Sequence, residues 1–159
     1  MDRTDLTAAV VAHHELFLMT GDRLTQVFAE LSLTPATAHA LWLLDPQAPP
    51  PAMKTMAERL YCNASNLTFV SNQLVDRGLA RREVDPADRR SRVLVLTERG
   101  REVRDELIRE TLARTPFATL GPDEVAQLRV LLERATGNAG SADGVTETPA
   151  RAAGNAGIS

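Results

Sequence analysis

Apolar positions near the start of the chain recur at three- and four-residue spacing. Leu6, Val10, Phe17, Leu24, Val27, Phe28 and Leu31 form one stripe, interrupted midway by Gly21, and predict a long helix over residues 5–31. Thr34 before Pro35 marks a second start, a hydroxyl cap followed by proline at the first helical position. That helix carries Ala38, Leu41, Trp42 and Leu44 and must end before Pro46, since residues 46–51 hold four prolines and read as a loop. Met53, Met56, Ala57 and Leu60 share a face of a short third helix. After a turn at residues 61–63, Asn63 caps a fourth helix over residues 64–77, closed by Gly78.

The pattern then changes to alternation. Residues 79–84 and 92–96 read as strands around the polar tip Asp85-Pro86-Ala87-Asp88-Arg89-Arg90-Ser91, a β-hairpin. Thr97 caps a fifth helix reaching about residue 114, with Glu98 placed well for the helix dipole. Gly121-Pro122 opens a sixth, to residue 136, with Val125, Leu128, Leu131, Leu132 and Ala135 as its apolar stripe. Residues 137–159 hold almost no large apolar side chain, so a disordered tail is expected there. The expected fold class is mainly α with a small β-wing: a winged helix-turn-helix over residues 33–100, flanked by helices.

The fourth helix has the faces that a groove-reading helix needs. Leu67, Val70 and Leu74 can point inward, which leaves Ser65, Asn66, Thr68, Phe69, Asn72 and Gln73 outward: hydrogen-bonding side chains, one aromatic ring and no acid. A major groove ~12 Å wide admits such a helix. The hairpin tip adds Arg89, Arg90 and Arg92 on a protruding loop stiffened by Pro86, suited to a narrow minor groove. Asp88 beside them is expected to hold an arginine side chain extended through a charge-assisted hydrogen bond.

Composition changes this picture in one respect. The net charge of -3 argues against a polyanion partner until it is divided by region. Residues 53–104 carry 11 Lys/Arg against 7 Asp/Glu, or +4, and the remainder carries 7 against 14, or -7. A basic middle between acidic ends suits a nucleic-acid-binding module. No apolar run approaches the ~18 residues of a membrane span, and no secretory leader is evident. The single cysteine, Cys62, fits a reducing cytoplasm. One cysteine and three histidines leave little for a metal site, and no nucleophile-and-base pairing or phosphate-cradling glycine loop is found. An enzyme is not expected, nor a cofactor.

Residues 60–68 and 74–82 resemble the recognition region of MarR-family regulators. Residues 85–100, Asp-Pro-Ala-Asp-Arg-Arg-Ser-Arg-Val-Leu-Val-Leu-Thr-Glu-Arg-Gly, resemble that family's wing and the helix after it. In element order the likeness spans residues 5–136. It implies a homodimer joined through the helices of residues 5–31 and 98–136, and a transcriptional regulator, usually a repressor, on double-stranded DNA. It implies that Ser65, Asn66, Thr68 and Asn72 face the major groove and that Arg90 enters the minor groove. Phe69 departs from the short polar residues usual on that face, and either meets a thymine methyl or packs against the wing. Many such proteins hold a small aromatic acid between the dimerisation helices and the DNA-binding lobe. His13, Phe17, His39 and Trp42 could line that site, or simply pack in the core. Cys62 lies outside the first helix, where some relatives sense oxidants, and packing suits it better. The alternative to DNA binding is a winged-helix module for protein interaction.

Overall fold

The computed structural model describes residues 3–137. The element order is α1 (Arg3–Glu30), α2 (Pro35–Leu43), α3 (Met53–Arg59), α4 (Ala64–Asp76), β1 (Ala80–Val84), β2 (Arg92–Leu96), α5 (Glu98–Arg114), a 3₁₀ turn (Pro116–Thr119) and α6 (Pro122–Ala135). Six helices and an antiparallel hairpin give the mainly-α fold with a small β-wing that the pattern predicts. The expected tail lies outside the described residues, apart from Gly137. The described residues fall into two compact units, divided between Ala118 and Thr119.

Three helices of the first unit end in the same way. After α1, the Ser32 N–H bonds the Ala29 carbonyl and the Leu33 N–H bonds Phe28. After α3, Tyr61 bonds Glu58 and Cys62 bonds Ala57. After α4, Gly78 bonds Val75 and Leu79 bonds Leu74. Each is a Schellman motif, which satisfies carbonyls left open at a helix end. The residue that reverses the chain has positive φ each time: Ser32 at 53°, Tyr61 at 50°, Gly78 at 66°. Only the third is a glycine, so only the third stop stood out in the sequence. The motif also explains why β1 begins at Ala80 rather than residue 79: the Leu79 N–H is committed to α4. Gly21, which breaks the stripe of α1, does not break the helix.

Helix starts follow the expected chemistry. The Thr34 hydroxyl accepts from the Thr37 N–H, and the Thr37 hydroxyl accepts from the Thr34 N–H. Asn63 Oδ1 accepts from the Asn66 N–H at 2.8 Å, and Thr97 Oγ1 from the Gly100 N–H at 3.0 Å. Such caps contribute about 1 kcal/mol each.

The core of this unit gathers the end of α1 (Val27, Phe28), the inner faces of α2 and α4 (Leu41, Leu67, Leu74), Met56 of α3, the hairpin (Leu79, Leu94, Leu96) and Leu107 of α5. Burying each large side chain contributes about 1.5–3 kcal/mol. β1 and β2 pair in register from Ala80 with Leu96 to Val84 with Arg92, and an isolated bridge from Ala52 to Val93 adds an edge. The N-terminal two-thirds of α1 contributes nothing to this core. Val10, Phe17 and Leu18 stand exposed along it.

In the second unit, α6 starts at Gly121 with proline in its first turn, and Glu124 Oε2 accepts from the Gly121 N–H. Val125, Leu131 and Leu132 are exposed.

The root of the wing is the tightest point of the fold. The Thr97 hydroxyl donates to the Gly78 carbonyl at 2.6 Å, and the Thr97 N–H donates to Leu79. A methyl group on Gly100 would lie 1.8 Å from the Leu79 carbonyl oxygen. We therefore expect Gly100→Ala to destabilise the fold by at least about 2–3 kcal/mol in denaturant unfolding, an overpacking cost against fixed backbone. Ser32→Gly relieves a left-handed serine and should stabilise by about 0.5–1 kcal/mol in the same assay. Equal effects from the two substitutions would contradict this reading.

Candidate nucleic-acid interface

Leu67, Val70 and Leu74 seat α4 in the core, joined by Ser71, whose buried hydroxyl donates to the Leu67 carbonyl. Ser65, Asn66, Thr68, Phe69 and Asn72 lie on the exposed side. Thr68 Oγ1 donates to the Ala64 carbonyl, which leaves its lone pairs outward. Phe69 is 64% exposed, so its ring does not pack against the wing. Gln73 departs from the expected outward set. It is half-buried and lines a recess with Thr34, Thr37 and Arg77.

The wing tip is built on two aspartates. Asp85 Oδ1 accepts from the Ala87 N–H. Asp88 Oδ1 accepts from the Arg90 N–H at 3.0 Å and its Oδ2 from the Ser91 hydroxyl at 2.8 Å. These two bonds, backbone first, hold the Asp88 carboxyl below the ordinary 3.8. The expectation that Asp88 grips an arginine side chain is corrected here. It fixes the backbone of the tip instead, because a two-residue reach to the Arg90 N–H is satisfied locally. Arg89, Arg90 and Arg92 are thus left exposed without a carboxylate partner among the described residues.

The basic middle of the sequence divides by role. Arg77 bonds the Leu31 carbonyl at the end of α1, and Arg104 bonds that of Trp42. Lys54, Arg81 and Arg101 pair with Glu58, Glu83 and Glu98. Of the remaining six cations of residues 53–104, four lie on the hairpin, Arg82, Arg89, Arg90 and Arg92, with Arg59 on α3 and Arg99 on α5, and none of the six has a carboxylate partner among the described residues. Arg82 of β1 also donates to Asn72 Oδ1 of α4 at 2.5 Å. The exposed face of α4 and one edge of the wing therefore share a surface, a link that sequence reasoning missed because it joins residues of different periodicity.

A second feature lies in the first unit. A cavity of about 470 Å³ is lined by Leu24, Phe28, His39, Trp42, Leu107 and Thr111, with Arg59 from the end of α3 and Tyr61 from the α3–α4 connection. His39 stands edge-on to Phe28. Two of the four residues expected in such a site, His39 and Trp42, are present. His13 and Phe17 are not: they stand exposed on α1, two or more turns before Leu24. Thr111 Oγ1 is buried without a hydrogen-bond partner. Cys62 is half-buried against the core. The described residues contain no metal-binding cluster and no helix long and apolar enough to cross a membrane.

The Asp88 bonds set a sign for pH. A depressed carboxyl keeps both acceptors through the neutral range and loses them only as pH falls below the ordinary carboxylate value, so tip order should not change between about pH 6 and 8. Asp88→Ala should speed amide exchange at Arg90 by about tenfold while the melting temperature moves by less than about 2 °C, because the tip is exposed. Unchanged exchange at Arg90 would show that the tip does not rely on this carboxylate.

The model of the MarR family matches residues 33–91. An HTH-type transcriptional regulator of Bacillus subtilis strain 168, YkoM, is 36% identical over 88 residues, 54% of this chain and 57% of that protein, so the match spans little more than half of the relative. Among solved structures, CouR from Rhodococcus jostii bound to p-coumaroyl-CoA is similar with TM-score 0.69 and 22% identity, covering 92% of this chain and 96% of that one. CouR, a transcriptional repressor, bound to a 23-mer DNA duplex gives TM-score 0.63 and 26% identity, covering 86% and 98%. Residues 33–91, which run from the approach to α2 through α3, α4 and β1 to the wing tip, are thus similar to the MarR family over that stretch, and the fold is that of the solved regulators.

Proposed function

We propose that this protein is a cytoplasmic transcriptional regulator that binds double-stranded DNA as a homodimer, and that it acts by repression. The observation that carries this reading is the shared surface of α4 and the wing: the polar face of Ser65, Asn66, Thr68 and Asn72, bonded through Arg82 to a hairpin whose Arg89, Arg90 and Arg92 have no carboxylate partner among the described residues. Ser65, Asn66, Thr68, Phe69 and Asn72 would meet base edges, with Gln73 at the margin. Arg90 would enter the minor groove, flanked by Arg89 and Arg92 on phosphates. The likeness to CouR, a repressor seen bound to a 23-mer DNA duplex, supports DNA as the partner.

Dimerisation is proposed through the helices of residues 5–31 and 98–136. Val10, Phe17 and Leu18 on α1 are apolar and uncovered, as contiguous interface residues are before assembly. Two copies would read half-sites one helical turn apart. The cavity beside Trp42 is proposed to hold a small aromatic acid whose binding releases DNA. Arg59 would meet its carboxylate and the Thr111 hydroxyl a second polar atom. The ligand must favour the state that DNA does not.

Selection of bound DNA from a random pool tests the reading, followed by titration at several salt concentrations. We expect a two-fold symmetric site and affinity that falls steeply with salt. Arg90→Ala should weaken binding about tenfold or more, and Phe17→Glu should convert a species of twice 17.3 kDa to monomer. A protein that enriches no sequence and forms no salt-sensitive complex would instead be a winged-helix module for protein partners.

A further inference from the structure

We propose that Arg82 and Asn72 act as one donor-only reading unit, so that Asn72 selects a guanine rather than an adenine at one position of each half-site. The inference rests on the DNA-binding reading above and concerns which base that surface prefers.

Arginine carries only donors, so its partner on the Asn72 amide must be the oxygen. The bond is from Arg82 Nη2 to Asn72 Oδ1, which fixes the orientation of the amide without ambiguity between its oxygen and nitrogen. A free asparagine reads adenine by turning both edges to the base, the oxygen accepting from N6 and the nitrogen donating to N7. Here the oxygen edge is turned to the wing. One of the two oxygen lone pairs is taken, and the groups set beside the oxygen on either side are donors, the Nδ2 amino group and the guanidinium. Guanine offers two acceptors in the major groove, O6 and N7, and suits this arrangement. Adenine brings an amino group against donors.

The position of the pair is suitable. Asn72 lies one turn beyond Thr68 and two beyond Ser65 on the exposed stripe of α4. Arg82 sits on β1 opposite Leu94, whose side chain is buried and fixes the strand to the core. Arg82 has no ion pair among the described residues, since its neighbour Glu83 is paired with Arg81, and the acid nearest Asn72 in sequence is Asp76 at the last position of α4. Arg82 is thus a positioning residue whose effect on base choice passes through Asn72.

The test is selection from a random DNA pool with the full chain and with Arg82→Met, Asn72→Ala and the double variant. For the unchanged protein we expect one position per half-site at which guanine exceeds adenine. In Arg82→Met the freed amide should raise adenine at that position by about tenfold relative to guanine, with other positions unaltered. Asn72→Ala should erase the preference there, and adding Arg82→Met to it should change nothing further at that position. If Arg82→Met lowers affinity evenly and leaves every base preference as it was, Arg82 contacts phosphate alone and the proposal is overturned. If the unchanged protein enriches no sequence, the DNA-binding reading falls first and this one with it. Both residues are exposed, and matching melting temperatures of the four proteins separate a loss of reading from a loss of fold.

Discussion

The contact on which the rest depends is the one at the root of the wing, where the chain leaves α4 and later enters α5. Two backbone segments meet there at a separation that only glycine permits, since any side chain on Gly100 would occupy the space of the Leu79 carbonyl. The Thr97 hydroxyl closes the same point by bonding Gly78 while it caps α5. One threonine therefore ties the end of α4, the exit of the hairpin and the start of α5 into one rigid corner. The direction of the wing relative to α4 is set first at that corner, and buried Leu94 and the bond from Arg82 to Asn72 hold the strands beyond it.

Much of this was legible before any coordinates. Pro35 after Thr34, Asn63 before Ala64 and Thr97 before Glu98 are starts whose chemistry is local, and the structure puts a cap at each. The strands announced themselves by alternation. The reversals at Ser32 and Tyr61 did not, because a left-handed turn leaves a sequence signal only when glycine occupies it. Their stability comes from core contacts of Leu33 and Cys62 one residue later, which no local rule records.

The site divided in the same manner. The sorting of α4 into inward and outward residues follows from helical period alone, and it failed at Gln73, where the first turn of α2 closes over one flank. The ligand-site expectation placed His13 and Phe17 too far along α1, because a resemblance supplies an element and not the turn of it. Arg59, Tyr61 and Thr111 were invisible, as they reach the cavity from three different elements. The charge argument improved on contact with the structure. Of the cations in the basic middle, several are tied to carbonyls or acids, and most of those left over lie on the hairpin.

The connection between α3 and α4 has a double allegiance. Arg59, Leu60 and Tyr61 form part of the cavity wall, and two residues later Asn63 begins the helix that carries Asn66 and Asn72. A guest in the cavity and a duplex on α4 would then lean on the same short stretch of backbone from opposite ends. Thermodynamic reciprocity allows no one-way influence between them: by whatever factor the guest loosens the duplex, the duplex must loosen the guest. Occupancy of either site would be a measure of the other.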